Sequence, residues 1–224
     1  MESGDFDLYP EYTSSGYIMV LKHDSDGISD EDMWKQLQKE YKDKYDMSWI
    51  GQYGFNNTYA LIVREEAAKK YNLTKTSQLA EVSDELVFGG NSDYIERKDG
   101  FHLLCDTYGL KFKDVKDIDI GLKYEALKKG DIDVSNGFTT DAQLSNDNVR
   151  VLEDDKHLQV NYFCSNVVRN DTLKSHPGLE EAIMKLDNSI TDKEMASLNY
   201  KVEVEGKEDV QVAKDYLTEK GIIK

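Results

Sequence analysis

An eleven-residue pattern occurs twice in this chain. Gly4-Asp5-Phe6-Asp7-Leu8-Tyr9-Pro10-Glu11-Tyr12-Thr13-Ser14 aligns without gaps with Gly130-Asp131-Ile132-Asp133-Val134-Ser135-Asn136-Gly137-Phe138-Thr139-Thr140. The offset is constant (130 − 4 = 138 − 12 = 126). Both copies read Gly-Asp, an apolar residue, Asp, an apolar residue, and later an aromatic followed by Thr and a second hydroxyl residue. Solenoid arrays repeat at much shorter periods, roughly 20–50 residues, so a repeat this distant implies two similar halves. Each half brings one aromatic, Tyr12 or Phe138, to the same place in its own lobe. Two lobes that each aim a ring at a shared cleft form a ligand-binding arrangement.

The remaining pattern predicts an α/β fold. Residues 5–12 read as a strand that turns at Pro10. Ser29-x-x-Asp32 resembles a helix-capping box, and Trp34, Leu37, Tyr41 and Tyr45 then fall at helical spacing to about Lys44. Strands are predicted over 59–64, 86–90, 131–134, 149–152 and 161–168. Helices are predicted over 65–71, 98–108, 121–129, 177–189, 191–200 and 208–220. Gly109, Gly130 and Gly221 follow three of those helices, as C-terminal caps do. Helices alternating with short strands imply mostly parallel sheets. The chain has two prolines and no Gly/Ser-rich stretch, so ordered crossing strands are expected to join the lobes. The second copy of the repeat follows a predicted helix and earlier strands. Only Met1, Glu2 and Ser3 precede the first copy. The first half is therefore expected to lack a strand–helix–strand segment.

At 224 residues the chain suits one large domain or two small ones. A formal net charge of −16 argues against nucleic acid and anionic lipid as partners, because phosphate binding needs clustered Lys and Arg. Its simplest reading is solubility. Cys105 and Cys164 stand far apart with no Cys-x-x-Cys, and are read as two free thiols. The apolar run 59–63 is far too short to span a bilayer. The residues after Met1 are acidic, unlike a secretory leader.

No catalytic constellation stands out. His23, His102, His157 and His176 lack metal-ligand spacing. Asp24-Ser25-Asp26-Gly27 fails as a calcium loop, since Lys22 and Met33 would occupy its first and twelfth positions. Gly89-Gly90 lacks the Gly-Lys-Ser/Thr of a phosphate loop, and neither Ser nor Cys sits in a nucleophile motif. No cofactor is expected. The rings are more informative, with 14 Tyr, 7 Phe and 2 Trp. A strand tyrosine is ordinarily core. The repeat singles out Tyr12 and Phe138, which follow strand ends, where open α/β sheets bind ligands. Phe55-Asn56-Asn57-Thr58-Tyr59 and Val160-Asn161-Tyr162-Phe163 are polar and aromatic where a core strand would be apolar. A box of rings suits a quaternary ammonium, which has no hydrogen-bond donor and is held by cation–π attraction.

Five motifs, in order along the chain, carry a family resemblance. They are Gly4–Thr13, Phe55–Leu61, Gly130–Val134, Leu152-Glu153-Asp154-Asp155-Lys156-His157, and Leu198-Asn199-Tyr200-Lys201-Val202-Glu203-Val204-Glu205-Gly206. Together the sequence resembles the substrate-binding proteins of osmoprotectant ABC transporters, which carry glycine betaine, choline, carnitine and related compounds. The resemblance implies a two-lobed, periplasmic-binding-protein-like (type II) α/β fold that closes on its ligand by a hinge. It also implies an aromatic cage, matched here to Tyr12, Tyr59, Phe138 and Tyr162. The third position is commonly Tyr in the family, so Phe138 keeps the ring and loses a hydroxyl. Ser15 falls where the family tunes the substrate tail, and Asn57 is a polar partner. The usual Pro-Pro-Tyr before the fourth ring reads Val160-Asn161-Tyr162 here. The family's opening strand, with a Phe-Thr-Glu-Gln-like segment, has no counterpart, which agrees with the truncation inferred from the repeat.

The reading that follows is a non-enzymatic receptor. Lobe 1 would comprise residues 1–61 and 160–224, and lobe 2 residues 62–159. Tyr12 and Tyr59 would come from the first lobe or its hinge, Phe138 from the second, and Tyr162 from the returning crossover. Ligand would be delivered to an ABC permease at the outer face of the plasma membrane or in the periplasm, the full-length form being a lipoprotein or fused to the permease. The alternatives are a truncated or domain-swapped fragment without transport activity, a homodimer included, and a receptor for an aromatic betaine such as ergothioneine.

Overall fold

The computed structural model describes residues 1–25, 27–96, 100–119, 121–145 and 148–224. The chain divides into two compact units, residues 1–57 with 160–224, and residues 58–159. The described strands are β1 Leu8–Tyr12, β2 Met47–Ile50, β3 Tyr59–Arg64, β4 Val87–Gly90, β5 Asp114–Asp117, β6 Val134–Phe138, β7 Val149–Leu152 and β8 Cys164–Arg169.

Unit 1 is built on a three-stranded sheet in the order β1-β8-β2, with both pairings antiparallel. Its strands alternate their faces, as a period of two requires. Tyr9, Trp49 and Val167 pack on Met33, Leu37 and Tyr41 of the helix Asp30–Tyr45. Ile50 and Val168 face the other way, onto Ile183 of the helix Leu179–Met184. Ser29 caps the first helix as its sequence predicts, its hydroxyl accepting from Asp32 N at 3.1 Å. Thr191 and Glu194 close a full capping box on the helix Asp192–Glu203. Pro177 precedes a helix that begins at Leu179 and ends at Met184, shorter than its sequence implies.

Unit 2 has five strands in the order β5-β4-β6-β3-β7. Leu61, Val63, Val134 and Phe88 pack with Phe101, Leu104 and Tyr108 on one face. Ile62 and Ile132 pack with Leu127 on the other. The mostly parallel sheets expected from alternation are not found. Among the described residues, only β4 pairs in parallel, with β5 and β6. The other four pairings are antiparallel, because β3 and β8 follow crossing segments that reverse direction into sheets already begun. The strand expected over 131–134 forms at Val134–Phe138 instead. Asp133 precedes it, its carboxylate accepting from Val87 N (3.0 Å) and Arg64 Nη2 (2.7 Å). The helix expected over 98–108 is seen as Phe101–Tyr108, and residues 98 and 99 lie outside the described residues.

The sequence repeat marks a larger structural one. In unit 1, Leu8 pairs with Val168 and Tyr12 with Cys164. In unit 2, Val134 pairs with Val63 and Phe138 with Tyr59. The third strands agree as well: Ile50 opposite Asn166 and Met47 opposite Arg169 match Leu152 opposite Leu61 and Val149 opposite Arg64. Thus β1-β8-β2 and β6-β3-β7 are the same three-stranded motif in the same register. The repeat's glycines serve it alike. Gly4 and Gly130 have φ of +82° and +77°, and a Cβ on either would lie 2.7 Å from Arg169 Nη1 or 3.3 Å from Arg64 Nη1. The second Asp of each copy also has one role, since Arg169 N donates to Asp7 O (3.1 Å) and Arg64 N to Asp133 O (2.9 Å). The two copies differ at one edge. β6 is flanked by β4, whereas β1 is an edge strand, so Leu8 is 39% exposed where Val134 is 0%.

Candidate functional site

In unit 1 the chain leaves β1 at Tyr12 and enters a helical turn, Thr13–Ser15. Tyr12 is partly buried, and its hydroxyl accepts from Asn57 Nδ2 at 3.2 Å. Burial, then the neighbouring Cys164, raises its pKa above the ordinary phenol value, so the hydroxyl is neutral at physiological pH. Tyr162 is anchored through its backbone. Its N–H donates to Asn56 Oδ1 (2.7 Å) and its carbonyl accepts from Asn57 N (3.0 Å). A chain of amides fixes this segment. Asn56 Nδ2 donates to Asn161 Oδ1 (2.7 Å), Asn161 Nδ2 to Asp30 Oδ2 (2.7 Å), and Asn56 N to Asp192 Oδ1 (2.7 Å). Ser14 Oγ, buried, donates to Asn161 O at 2.5 Å. Ser15 ends the turn and is partly exposed. The structure therefore brings Tyr12, Asn57 and Tyr162 together within unit 1, with Ser15 three residues beyond Tyr12.

On the Pro10 and Tyr12 side of the same unit lies an apolar cavity of about 500 Å³, lined in part by Phe55, Cys164, Leu198 and Tyr216. Cys164 is buried, and desolvation pushes its thiol up to about 12, so it is unreactive near neutral pH. Cys105, in unit 2, is likewise a free thiol, raised to about 11 by burial.

In unit 2, Tyr59 opens β3 and Phe138 closes β6 directly opposite. Their rings stack at 4.9 Å between centroids with 26° between planes. Tyr94 extends the group, 5.4 Å from Tyr59. Phe138 is held by Asp141, whose Oδ2 accepts from Phe138 N (3.1 Å), Tyr124 Oη (2.5 Å) and Lys123 Nζ (3.1 Å). Lys123 is nearly excluded from water, with 7% of its side chain exposed, so the Asp141 carboxylate is what makes its charge tolerable there.

Tyr59, expected with the first lobe or its hinge, is the first residue of a strand wholly within unit 2. Asn56, Asn161, Asp141 and Tyr94 were not singled out by the sequence. No spacing rule marks amides that hold one another across long sequence separations. Thr13 and Thr139 were marked, as the residue common to both copies, and their hydroxyls prove to be engaged in both units. Among the described residues no group of His, Cys, Asp or Glu has a metal-binding arrangement. His23, for one, pairs with Glu40 at 2.7 Å. No helix among them is long and apolar enough to cross a membrane.

Residues 1–219 match the family model described as the substrate-binding domain of ABC-type glycine betaine transport systems. A Helicobacter pylori (strain G27) protein described as an ergothioneine transport permease/ergothioneine binding protein is 37% identical over 219 residues. That alignment takes in 98% of this chain and 39% of the relative, so the chain spans about two fifths of its length. A carnitine transport binding protein of Listeria monocytogenes is 34% identical over 220 residues, covering 97% of this chain and 71% of the relative. Among solved structures, one described as a glycine betaine/carnitine/choline ABC transporter superposes with a TM-score of 0.92 at 35% identity. It covers 98% of this chain and 81% of that one.

Proposed function

This chain belongs to the family of substrate-binding domains of ABC-type glycine betaine transport systems, and from that premise we propose that it is an extracytoplasmic receptor that takes a quaternary ammonium compound in an aromatic cage and passes it to an ABC permease. Its relatives are substrate-binding proteins and not enzymes. Tyr12 and Tyr162 of unit 1, with Tyr59 and Phe138 of unit 2, would supply the ring faces. Each ring would contribute roughly 0.5–2 kcal/mol to a desolvated trimethylammonium head. Neutral phenols serve this purpose, because the attraction comes from the ring face and demands no hydrogen bond from the ligand. Ser15 and Asn57 would face the tail. Ligand would favour a closed form, in which the ring set is complete.

The observation that carries this reading is the common register of Tyr12 and Phe138. Two copies of one motif, 126 positions apart, each end their strand on an aromatic followed by Thr. The Tyr59–Phe138 stack supports it from unit 2. Ergothioneine joins glycine betaine, carnitine and choline as a candidate, since the Helicobacter pylori relative is described as binding it.

The test is isothermal titration of the chain with those four compounds, repeated on Tyr12→Ala and Tyr162→Ala. Each substitution is expected to weaken binding at least about tenfold, equivalent to 1.4 kcal/mol. Unchanged affinity in both variants would remove the cage. The wild-type preference among the four would identify the tail that Ser15 and Asn57 accommodate.

A further inference from the structure

The threonine that follows the aromatic in each repeat copy makes the same pair of hydrogen bonds in both units. In unit 1, Thr13 N donates to Phe163 O at 3.0 Å, and Phe163 N donates back to Thr13 Oγ1 at 3.2 Å. In unit 2, Thr139 N donates to Thr58 O at 3.0 Å, and Thr58 N donates back to Thr139 Oγ1 at 3.1 Å. Phe163 immediately precedes β8 as Thr58 immediately precedes β3, so the partners are equivalent too. Both bonds in each pair tie the end of a repeat strand to the segment entering the neighbouring strand. The hydroxyl takes the role a backbone carbonyl would have had if the ladder had continued one residue further.

We infer that Thr13 and Thr139 are positioning residues for ligand binding, each a latch that sets two rings of its unit in a fixed spacing. The inference rests on the cage reading. Thr13 directly follows the Tyr12 ring, and its partner Phe163 directly follows the Tyr162 ring. Thr139 directly follows the Phe138 ring, and its partner Thr58 directly precedes the Tyr59 ring. In each unit one side-chain hydroxyl therefore joins the backbones that carry the two cage rings. It does so at the point where both strands leave the sheet and the ladder no longer holds them. The Thr13 hydroxyl also donates to Asn161 O at 3.3 Å, and that of Thr139 to Thr58 O at 3.4 Å, so neither has a proton left for a ligand. Neither residue is a ligand contact. Their effect on affinity runs through ring placement, which a cage requires: a cation must meet several faces at once, and displacing one pair by about an ångström forfeits contacts that act together.

The experiment compares Thr13→Val, Thr139→Val and the conservative Thr13→Ser and Thr139→Ser. Glycine betaine, carnitine and ergothioneine are the titrants, and the thermal midpoint of each variant is measured without ligand. Valine keeps the shape and removes the acceptor, while serine keeps the acceptor. Each valine variant is expected to bind about five- to tenfold more weakly than wild type, and each serine variant to stay within about threefold. Affinity should follow the hydroxyl even where Val and Ser variants melt at the same temperature. Equal losses for Ser and Val would show that the methyl group or general packing matters, and would overturn the latch. Wild-type affinity in both valine variants would overturn it as well. The Tyr12→Ala control separates the two levels of the reading. If Tyr12→Ala binds normally, the cage itself fails. If Tyr12→Ala is impaired and the valine variants are not, only the latch does.

Discussion

The buried pair behind Phe138 allows the sharpest stability test. Lys123 and Asp141 meet at 3.1 Å with side chains 7% and 20% exposed. Replacing Asp141 with Asn keeps the shape, and the amide oxygen still accepts from Tyr124 Oη and Phe138 N. Only the charge is lost, leaving the Lys123 ammonium in a site with almost no water. Breaking one partner out of a buried pair costs about 3–5 kcal/mol, and the partial exposure of Asp141 points to the lower end, about 3 kcal/mol. Adding Lys123→Met removes the stranded cation and is expected to bring stability back to within about 1 kcal/mol of wild type. Urea unfolding reports this cleanly. Both tryptophans, Trp34 and Trp49, lie in unit 1, so their fluorescence follows that unit while circular dichroism follows both. Asp141→Asn should shift the dichroism transition that the tryptophans do not report. The reasoning is refuted if Asp141→Asn costs less than about 1 kcal/mol, or if the double variant is no more stable than the single one.

Two further outcomes follow from named contacts. The Glu194 carboxylate is held down to about 2 from its usual 4.5 by Lys220, then by the Thr191 N–H and hydroxyl. A depressed carboxylate stabilises the fold fully above its unfolded pKa and loses that contribution as pH falls through its folded pKa. The difference in thermal midpoint between wild type and Glu194→Gln should thus be constant above about pH 5, and should shrink between pH 4.5 and about 2. Tyr12→Phe removes the hydroxyl that accepts from Asn57 and keeps the ring. Since Phe138 fills the equivalent position without a hydroxyl, binding of glycine betaine or carnitine should stay within about threefold by titration, where Tyr12→Ala loses tenfold or more.

Much of this was legible in the sequence because it depends on local chemistry. Ser29 and Thr191 announced helix starts, and both cap as expected. The strand 59–64 showed as an unbroken apolar run and is found with those bounds. The repeat gave two equivalent strands and, through them, Tyr12 and Phe138. Strand direction was not legible. Alternation of helix and strand favours parallel sheets, yet the crossing segments deliver β3 and β8 antiparallel to their neighbours, and nothing in their residues encodes that. Strand β2 was overlooked because Met47-Ser48-Trp49-Ile50 is too short to show a period and follows directly on a helix. The amide chain Asn56–Asn161–Asp30 was out of reach for a different reason. Its members are joined across more than a hundred positions, and only the fold brings them within bonding distance.

The repeat also shows which of its positions are free to change. Gly, the second Asp, the aromatic and the Thr have the same structural duty in both copies: a positive φ beneath an arginine, an acceptor for that arginine's N–H, a ring at the strand end, and a latch. The next two positions are where the copies part. Thr140 faces Ser14, both buried and hydroxylic. Asp141 faces Ser15. Asp141 is fully committed to Lys123, Tyr124 and the Phe138 backbone, so altering it disturbs the fold before it could tune a ligand. Ser15 stands at the same backbone position, partly exposed, three residues from the Tyr12 ring, at the end of a turn already fixed by Thr13 and Ser14. Unit 1 can therefore vary this residue without losing the architecture that holds its rings. That asymmetry places ligand discrimination, on the proposed reading, with Ser15 and leaves its counterpart to stability.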